Sequence, residues 1–310
     1  MDFLFAGLGL VILLMAGDAL VRGAVNVSLR LGVPALIVSL TIVAFGTSAP
    51  ELLISIRATL ADAPGIALGN VVGSNIANVL LVLGVPALIS GLNTSDCRTE
   101  KSFWMMIAAT VLFIVVCFLG PITWMHGLVL LAGLVLVLGD QLREALAHRR
   151  NGEDDVEGAD PEMRWWKILM FLALGLIGLP LGAELLVDGA TSIARTFGVS
   201  EAVIGLTLVA IGTSLPELAT TVMAGLRRQA DVALGNVIGS NIFNLLAIIG
   251  ITSLVGTVPV DPGFLTFDLW VMLATALILV PFVLYRRNMT KRWGTLFVLL
   301  YAAFLVVVIY

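Results

Sequence analysis

Two glutamates hold the residues of this sequence best suited to chemistry. Glu51 closes the run Gly46-Thr47-Ser48-Ala49-Pro50-Glu51, Glu217 closes Gly212-Thr213-Ser214-Leu215-Pro216-Glu217, and the two lie 166 positions apart inside long apolar segments. A carboxylate at bilayer depth is expensive and is kept where it has a task. Thr47 and Ser48 precede Glu51 by one helical turn, as Thr213 and Ser214 precede Glu217, so hydroxyls and carboxylate share one helix face. Proline has no N–H and crowds the carbonyl four residues earlier. Pro50 and Pro216 therefore release or displace the carbonyls of Gly46 and Gly212, and those near Ala44 and Ala210 can tilt off the helix axis. A second run in each half adds oxygen: Ser74 and Asn78 stand in i,i+4 relation, as do Ser240 and Asn244. Freed backbone groups at this depth are tolerated where protein or a polar cavity satisfies them, and a cation can be that partner. Carboxylate, hydroxyl, amide and carbonyl, without sulfur or imidazole, form a hard-cation set suited to Ca2+, Na+ or K+ and ill suited to zinc or copper. Two glutamates balance one divalent ion, two monovalent ions or protons, and the residues alone leave that choice open.

The elements that must position these groups are membrane spans. Of the 310 residues 59% are hydrophobic and 12% charged, against about 25% charged in a typical soluble domain. The apolar runs are continuous and do not alternate with period two, which excludes a β-barrel. Runs of roughly 17–25 apolar residues qualify as spans, and ten are expected, at about 3–21, 33–57, 65–90, 103–120, 124–142, 166–187, 199–225, 231–256, 267–285 and 293–310. The second, third, seventh and eighth are interrupted by Gly, Pro, Ser, Thr, Asn and Glu, so broken helices are expected there. The start, Met1-Asp2-Phe3, lacks a basic region and a cleavage site, so the first run is expected to be a span and not a signal peptide.

The spans form two repeats. An offset of 166 aligns Ala67-Leu68-Gly69-Asn70 with Ala233-Leu234-Gly235-Asn236, Gly73-Ser74-Asn75-Ile76 with Gly239-Ser240-Asn241-Ile242, and Asn78 with Asn244, with no gap from Asp18/Glu184 to Gly84/Gly250. The polar stretch 143–164, with Glu153-Asp154-Asp155, reads as a solvated linker between a first repeat at 1–142 and a second at 165–310. Five spans per repeat force the second to enter the membrane from the opposite side. With the N-terminus outside, all of the 17 basic residues except Arg57 and Arg195 fall on the cytoplasmic side, as the positive-inside rule requires. The expectation is an all-α polytopic membrane protein of ten transmembrane helices in two inverted repeats, both termini outside and the linker cytoplasmic.

Other residues invite plainer readings. Serine and threonine in membrane helices commonly bond only the preceding turn. Asn70, Asn75, Asn236 and Asn241 read as cross-links between helices or holders of helix ends. Asp18, Glu184 and Asp140 read as interfacial or packing charges. Cys97 and Cys117 suit neither a disulfide framework nor a metal spacing, and His126 and His148 leave little material for imidazole chemistry. No nucleophile or catalytic histidine accompanies the carboxylates, so an enzyme is not expected.

The doubled runs Gly-Thr-Ser-(Ala/Leu)-Pro-Glu-Leu and Gly-Asn-Val-(Val/Ile)-Gly-Ser-Asn-Ile-x-Asn, over essentially the whole chain, resemble the calcium/cation antiporter superfamily, and within it the prokaryotic sodium/calcium exchanger-like branch. The proton-coupled branch carries a Gly-Asn-Ala-x-Glu pattern at these helices, which this chain lacks. The resemblance implies a secondary active antiporter in a prokaryotic plasma membrane, exchanging Na+ for Ca2+ by alternating access, with cation/proton antiport and, further off, a cation channel as alternatives. It implies a diamond of sites with Glu51 and Glu217 shared at the centre, flanked by Thr47, Ser48, Thr213 and Ser214. Ser74, Ser240 and the carbonyls of Ala44 and Ala210 would complete the sodium positions, and Asn78 and Asn244 the middle one. Several relatives, potassium-dependent ones among them, carry Asp where this chain has Asn244, which implies no potassium requirement and weaker binding at the middle position. Beyond the two transported ions and the lipid bilayer no partner is implied, neither nucleic acid nor protein, and no cofactor.

Overall fold

Apolar runs in lipid fold as helices because a helix satisfies its backbone groups internally. The computed structural model describes residues 2–61, 63–151, 160, 162–198 and 210–309. Its helices are α1 (Asp2–Leu31), α2 (Ala35–Thr47), α3 (Ala49–Leu60), α4 (Pro64–Ser90), α5 (Glu100–Phe118), α6 (Trp124–Asn151), α7 (Trp165–Thr196), α8 (Ala210–Gly212), α9 (Leu215–Leu226), α10 (Ala230–Val255), α11 (Phe264–Val283) and α12 (Lys291–Ile309). Among the described residues, eight helices are long and apolar enough to cross a bilayer, and the α2–α3 pair, bent by 41°, brings the number to nine. The first part of the expected seventh span, residues 199–209, lies outside the described residues, and α8 and α9 form its remainder. No strands occur among the described residues. Two isolated bridges, Leu92–Met289 and Ile122–Val258, tie loops to loops.

Two expected breaks are not breaks. α4 and α10 each pass as one span, α-helical through Asn70 and Asn75 and through Asn236 and Asn241, with a π-helical stretch around the last asparagine of each run, Asn78–Val82 and Phe243–Ile248. A π turn takes up an extra residue through i→i+5 bonding. It re-aims polar side chains while keeping the backbone paired, which lipid demands. Three helices also outrun their apolar cores: α1 reaches Leu31, α6 reaches Asn151 and α7 reaches Thr196, against expected ends near 21, 142 and 187. Hydropathy falls where charges begin, but the helix does not end there. Past 139, α6 continues through good helix formers and is stapled to α5 by Lys101, which pairs with Asp140 at 2.5 Å and Glu144 at 3.0 Å. The first part of the expected linker is therefore helix.

The centre of the molecule is α10 with α4, whose apolar windows are 89% and 72% buried, while those of α6 and α12 are 17% buried and face lipid. Between α1 and α7, the most extensive pairing, glycines replace side chains. Gly175, Gly182 and Gly189 recur every two turns, and a Cβ on any of them would come within 3 Å of the backbone of α1. Without a hydrophobic drive in lipid, such backbone approach is what packs helices. α1 is also joined to the core by charge: Asp18 pairs with Arg22 at 3.0 Å and with Arg227, at the end of α9, at 2.5 Å. Asp18 thus has the packing role expected of it.

Candidate cation site

The Gly-Thr-Ser-x-Pro-Glu run is a helix end followed at once by a helix start. α2 stops at Thr47, Ser48 leaves helical geometry with φ −85° and ψ 5°, and α3 begins with Pro50 and Glu51 in its first turn. The second copy repeats this closely: Ser214 has φ −87° and ψ 3°, with Pro216 and Glu217 in the first turn of α9. Proline is harmless in a first turn, where its missing N–H would have had no partner. The free amides and positive dipole end of the same turn favour a carboxylate. Each motif therefore places its glutamate at the one part of a membrane helix that attracts negative charge.

The tertiary fold then brings the two copies together. Ser48 Oγ donates to Glu217 Oε1 at 3.1 Å. Thr47 Oγ1 lies 3.3 Å from Asn236 Oδ1 and 3.2 Å from the Ala44 carbonyl. That carbonyl also accepts from Ser48 N at 3.0 Å. Glu51 and Glu217 are each 1% exposed, and no Lys, Arg or His among the described residues pairs with either. Asn78 and Asn244 are 0% and 1% exposed and reach across the repeats: Asn78 Nδ2 donates to Asn241 Oδ1 and Asn244 Nδ2 to Asn75 Oδ1, both at 3.0 Å. Ser74 and Ser240 are buried one turn earlier on the same helices, Thr213 is half-buried, and Ala210 opens α8.

The unpaired oxygens reveal what the arrangement lacks. Among the described residues, ten buried side-chain atoms have no hydrogen-bond partner, and six belong to the expected set: Glu51 Oε2, Glu217 Oε2, Ser214 Oγ, Ser240 Oγ, Asn78 Oδ1 and Asn244 Oδ1. Native interiors leave few such atoms unpaired. A buried carboxylate without a partner is costlier still. Two of the six are the glutamates' own oxygens, and with the two hydroxyl and two amide oxygens they are of the kind a hard cation takes as ligands.

Two supports were not singled out in the sequence as parts of the site. Asn70 Nδ2 donates to the Glu51 carbonyl at 3.2 Å and Ser55 Oγ at 3.1 Å, while Asn236 Nδ2 donates to the Glu217 carbonyl at 3.4 Å and Thr221 Oγ1 at 3.0 Å. These amides clamp the first turn that carries each glutamate. Ser55 and Thr221 are related by the same offset of 166, and that match was the signal available for them.

The two copies differ at the serine hydroxyl, which yields a prediction. Ser48 donates to Glu217, while Ser214 Oγ has no partner among the described residues. A hydrogen bond to a charged group is worth about 1.5–3 kcal/mol. Ser48→Ala is expected to lower the unfolding midpoint of the ion-free protein, and Ser214→Ala to leave it within error of the parent. Thermal melts in a chelator check this, and equal losses for both variants would refute it.

The family model for sodium/calcium exchanger proteins matches residues 1–141 and 167–310. The putative antiporter CaxA of Alkalimonas amylolytica is 37% identical over 282 residues, covering 89% of this chain and 88% of its own. The sodium/calcium exchanger MaX1 of Methanosarcina acetivorans is 35% identical over 346 residues, covering 100% and 99%. Among solved structures, that of the sodium-calcium exchanger NCX_Mj soaked with zero Na+ and Ca2+ superposes with a TM-score of 0.82 at 34% identity, covering 97% of each chain.

Proposed function

This chain belongs to the family of sodium/calcium exchanger proteins, and on that premise we propose that it is a secondary antiporter exchanging Na+ for Ca2+ across a prokaryotic plasma membrane. The observation that carries the reading is the pair of buried glutamates, Glu51 and Glu217, which no basic side chain among the described residues pairs, together with the unpaired oxygens of Ser214, Ser240, Asn78 and Asn244. The ligands are those expected from the sequence: Glu51 and Glu217 shared by both ions, with Thr47, Ser48, Thr213, Ser214, Ser74, Ser240, Asn78, Asn244 and the carbonyls of Ala44 and Ala210 around them. Ca2+ takes roughly 6–8 oxygens, a number this set can supply.

The ions share the glutamates, so Na+ and Ca2+ exclude one another, and that exclusion couples their fluxes. One Ca2+ neutralises both carboxylates. The empty site keeps two uncompensated charges, which oppose its passage through an occluded state because burying them costs several kcal/mol each; leak is thereby limited. Access alternates when α1 and α7, packed on each other through glycine, slide over the core that holds the ligands. The architecture behind this is ten spans in two inverted repeats, 1–142 and 165–310 about a cytoplasmic linker at 143–164, with both termini outside. The matched geometries at Ser48 and Ser214, and the matched asparagine bonds, support a repeat relation.

The test is radiolabelled Ca2+ uptake into sodium-loaded proteoliposomes. Uptake is expected when the outside is sodium-free, and none when sodium is equal on both sides. Uptake driven by a pH gradient alone would replace the proposal with cation/proton exchange, and flux needing no counter-ion would replace it with a channel.

A further inference from the structure

Asn78 and Asn244 are held by contacts that run away from the cavity. Asn244 Nδ2 donates to Asn75 Oδ1 at 3.0 Å, and Asn75 Nδ2 points onward, to the Asn241 carbonyl at 3.3 Å and the Met272 sulfur at 3.8 Å. In the other direction Asn78 Nδ2 donates to Asn241 Oδ1 at 3.0 Å, and Asn241 Nδ2 points to the Met106 sulfur at 3.6 Å. Met106 and Met272 are themselves 166 residues apart, so the asparagine–asparagine–methionine chain occurs twice, the bond to the Asn241 carbonyl once. All six residues are at most 3% exposed, which leaves no solvent to satisfy a misplaced group.

An amide has a donor end and an acceptor end, whereas a thioether sulfur only accepts. Turning the Asn75 amide over would set its NH2 against that of Asn244, and its oxygen against sulfur. Turning Asn244 over would set oxygen against oxygen and aim its NH2 into the cavity. The sulfurs, joined at Asn75 by the Asn241 carbonyl, therefore define the sense of the amides beside them, and those amides define the sense of Asn244 and Asn78. Their unpaired Oδ1 atoms are the result.

We propose that Asn75 and Asn241, backed by Met272 and Met106, are positioning residues that fix the polarity of the cation site, keeping amide oxygen toward the ion and amide NH2 away from it. The proposal rests on the reading above that Asn78 and Asn244 bind cations. It also bears on selectivity. A carboxylate in place of Asn244 could not donate to Asn75 Oδ1, so a charge at that position would be opposed by the acceptor facing it.

A double-mutant cycle on the full-length protein tests this. The readouts are half-saturation for Ca2+ in sodium-dependent uptake and the Ca2+-induced rise in melting temperature in detergent. Asn75→Leu is expected to raise the half-saturating Ca2+ concentration roughly 10–100-fold, the usual loss when a group orienting a metal ligand is removed, with a smaller change in maximal rate. In an Asn244→Ala background it is expected to cost nothing more, and in an Asn78→Ala background its full amount. Met272→Leu, nearly isosteric, is expected to show the same pattern with a loss under about tenfold, and it serves if Asn75→Leu does not fold. Simple additivity with Asn244→Ala would overturn the proposal and leave Asn75 as a packing residue. A parent protein with neither sodium-dependent uptake nor a Ca2+-induced thermal shift would instead overturn the functional reading, and this one with it.

Discussion

Glu51→Gln is expected to abolish sodium-dependent Ca2+ uptake while leaving the protein folded, and Glu217→Gln to do the same. The substitution keeps shape and removes charge at a residue that is 1% exposed with one oxygen unpaired. At an effective dielectric near 20, two unit charges 4 Å apart attract by about 4 kcal/mol. Even if desolvation cancels a third of that, Ca2+ binding weakens by about 100-fold, since each 1.4 kcal/mol is a factor of ten. The ion-free protein should meanwhile melt no lower than the parent, because an unpaired buried charge has been removed. Its Ca2+-induced stabilisation should disappear. Equilibrium Ca2+ binding and melting curves with and without Ca2+ separate the two effects. A Glu51→Gln protein whose Ca2+ uptake still follows the sodium gradient would rule out shared ligation.

Gly239→Ala is expected to be almost as damaging for a different reason. A Cβ there would lie 2.4 Å from the Leu40 carbonyl oxygen, 2.8 Å from Leu40 Cα and 2.7 Å from Ala44 Cβ. Most of what it meets is backbone, so no rotamer change relieves it, and α2 must move off α10. Overpacking a close-packed interior costs about 1–3 kcal/mol. Here the displacement falls between Ser240 on one helix and the Ala44–Ser48 turn on the other. The expected outcome is a lower melting temperature together with weakened Ca2+ binding. Gly139→Ala is the control, since no atom lies within 4 Å of its added methyl among the described residues, and it should behave as the parent. Wild-type stability and affinity in Gly239→Ala would show that α2 and α10 are not held apart by this contact alone.

Much of the site was legible because its logic is local. Proline beside glutamate after Gly-Thr-Ser marks a helix start that can hold a charge, and the i,i+4 spacing of Ser74 and Asn78 puts both on one face whatever surrounds them. The interruption of α4 and α10 was misread for an equally local reason. Glycine and asparagine weaken a helix by propensity, yet Asn70, Asn75, Asn236 and Asn241 stay in α-helix and only Asn78 and Asn244 lie in π turns, because lipid penalises an unpaired backbone more heavily. The ends of α1, α6 and α7 were placed short because hydropathy reports lipid contact, while helices continue into water wherever propensity and ion pairs such as Lys101–Asp140 sustain them.

What the sequence by itself determined is the class of molecule and the inventory of its site. The apolar runs are of lipid length, the motifs occur twice at one offset, and every expected ligand is an oxygen. Only the tertiary structure decided how those oxygens are used. Ser48 is spent on Glu217 while Ser214 Oγ has no partner among the described residues, and Asn78 and Asn244 present oxygen because Asn241 and Asn75 take their amide hydrogens. The reason is physical. Residue type and spacing set what a group can donate or accept, but which of its atoms faces a cavity depends on partners more than a hundred positions away.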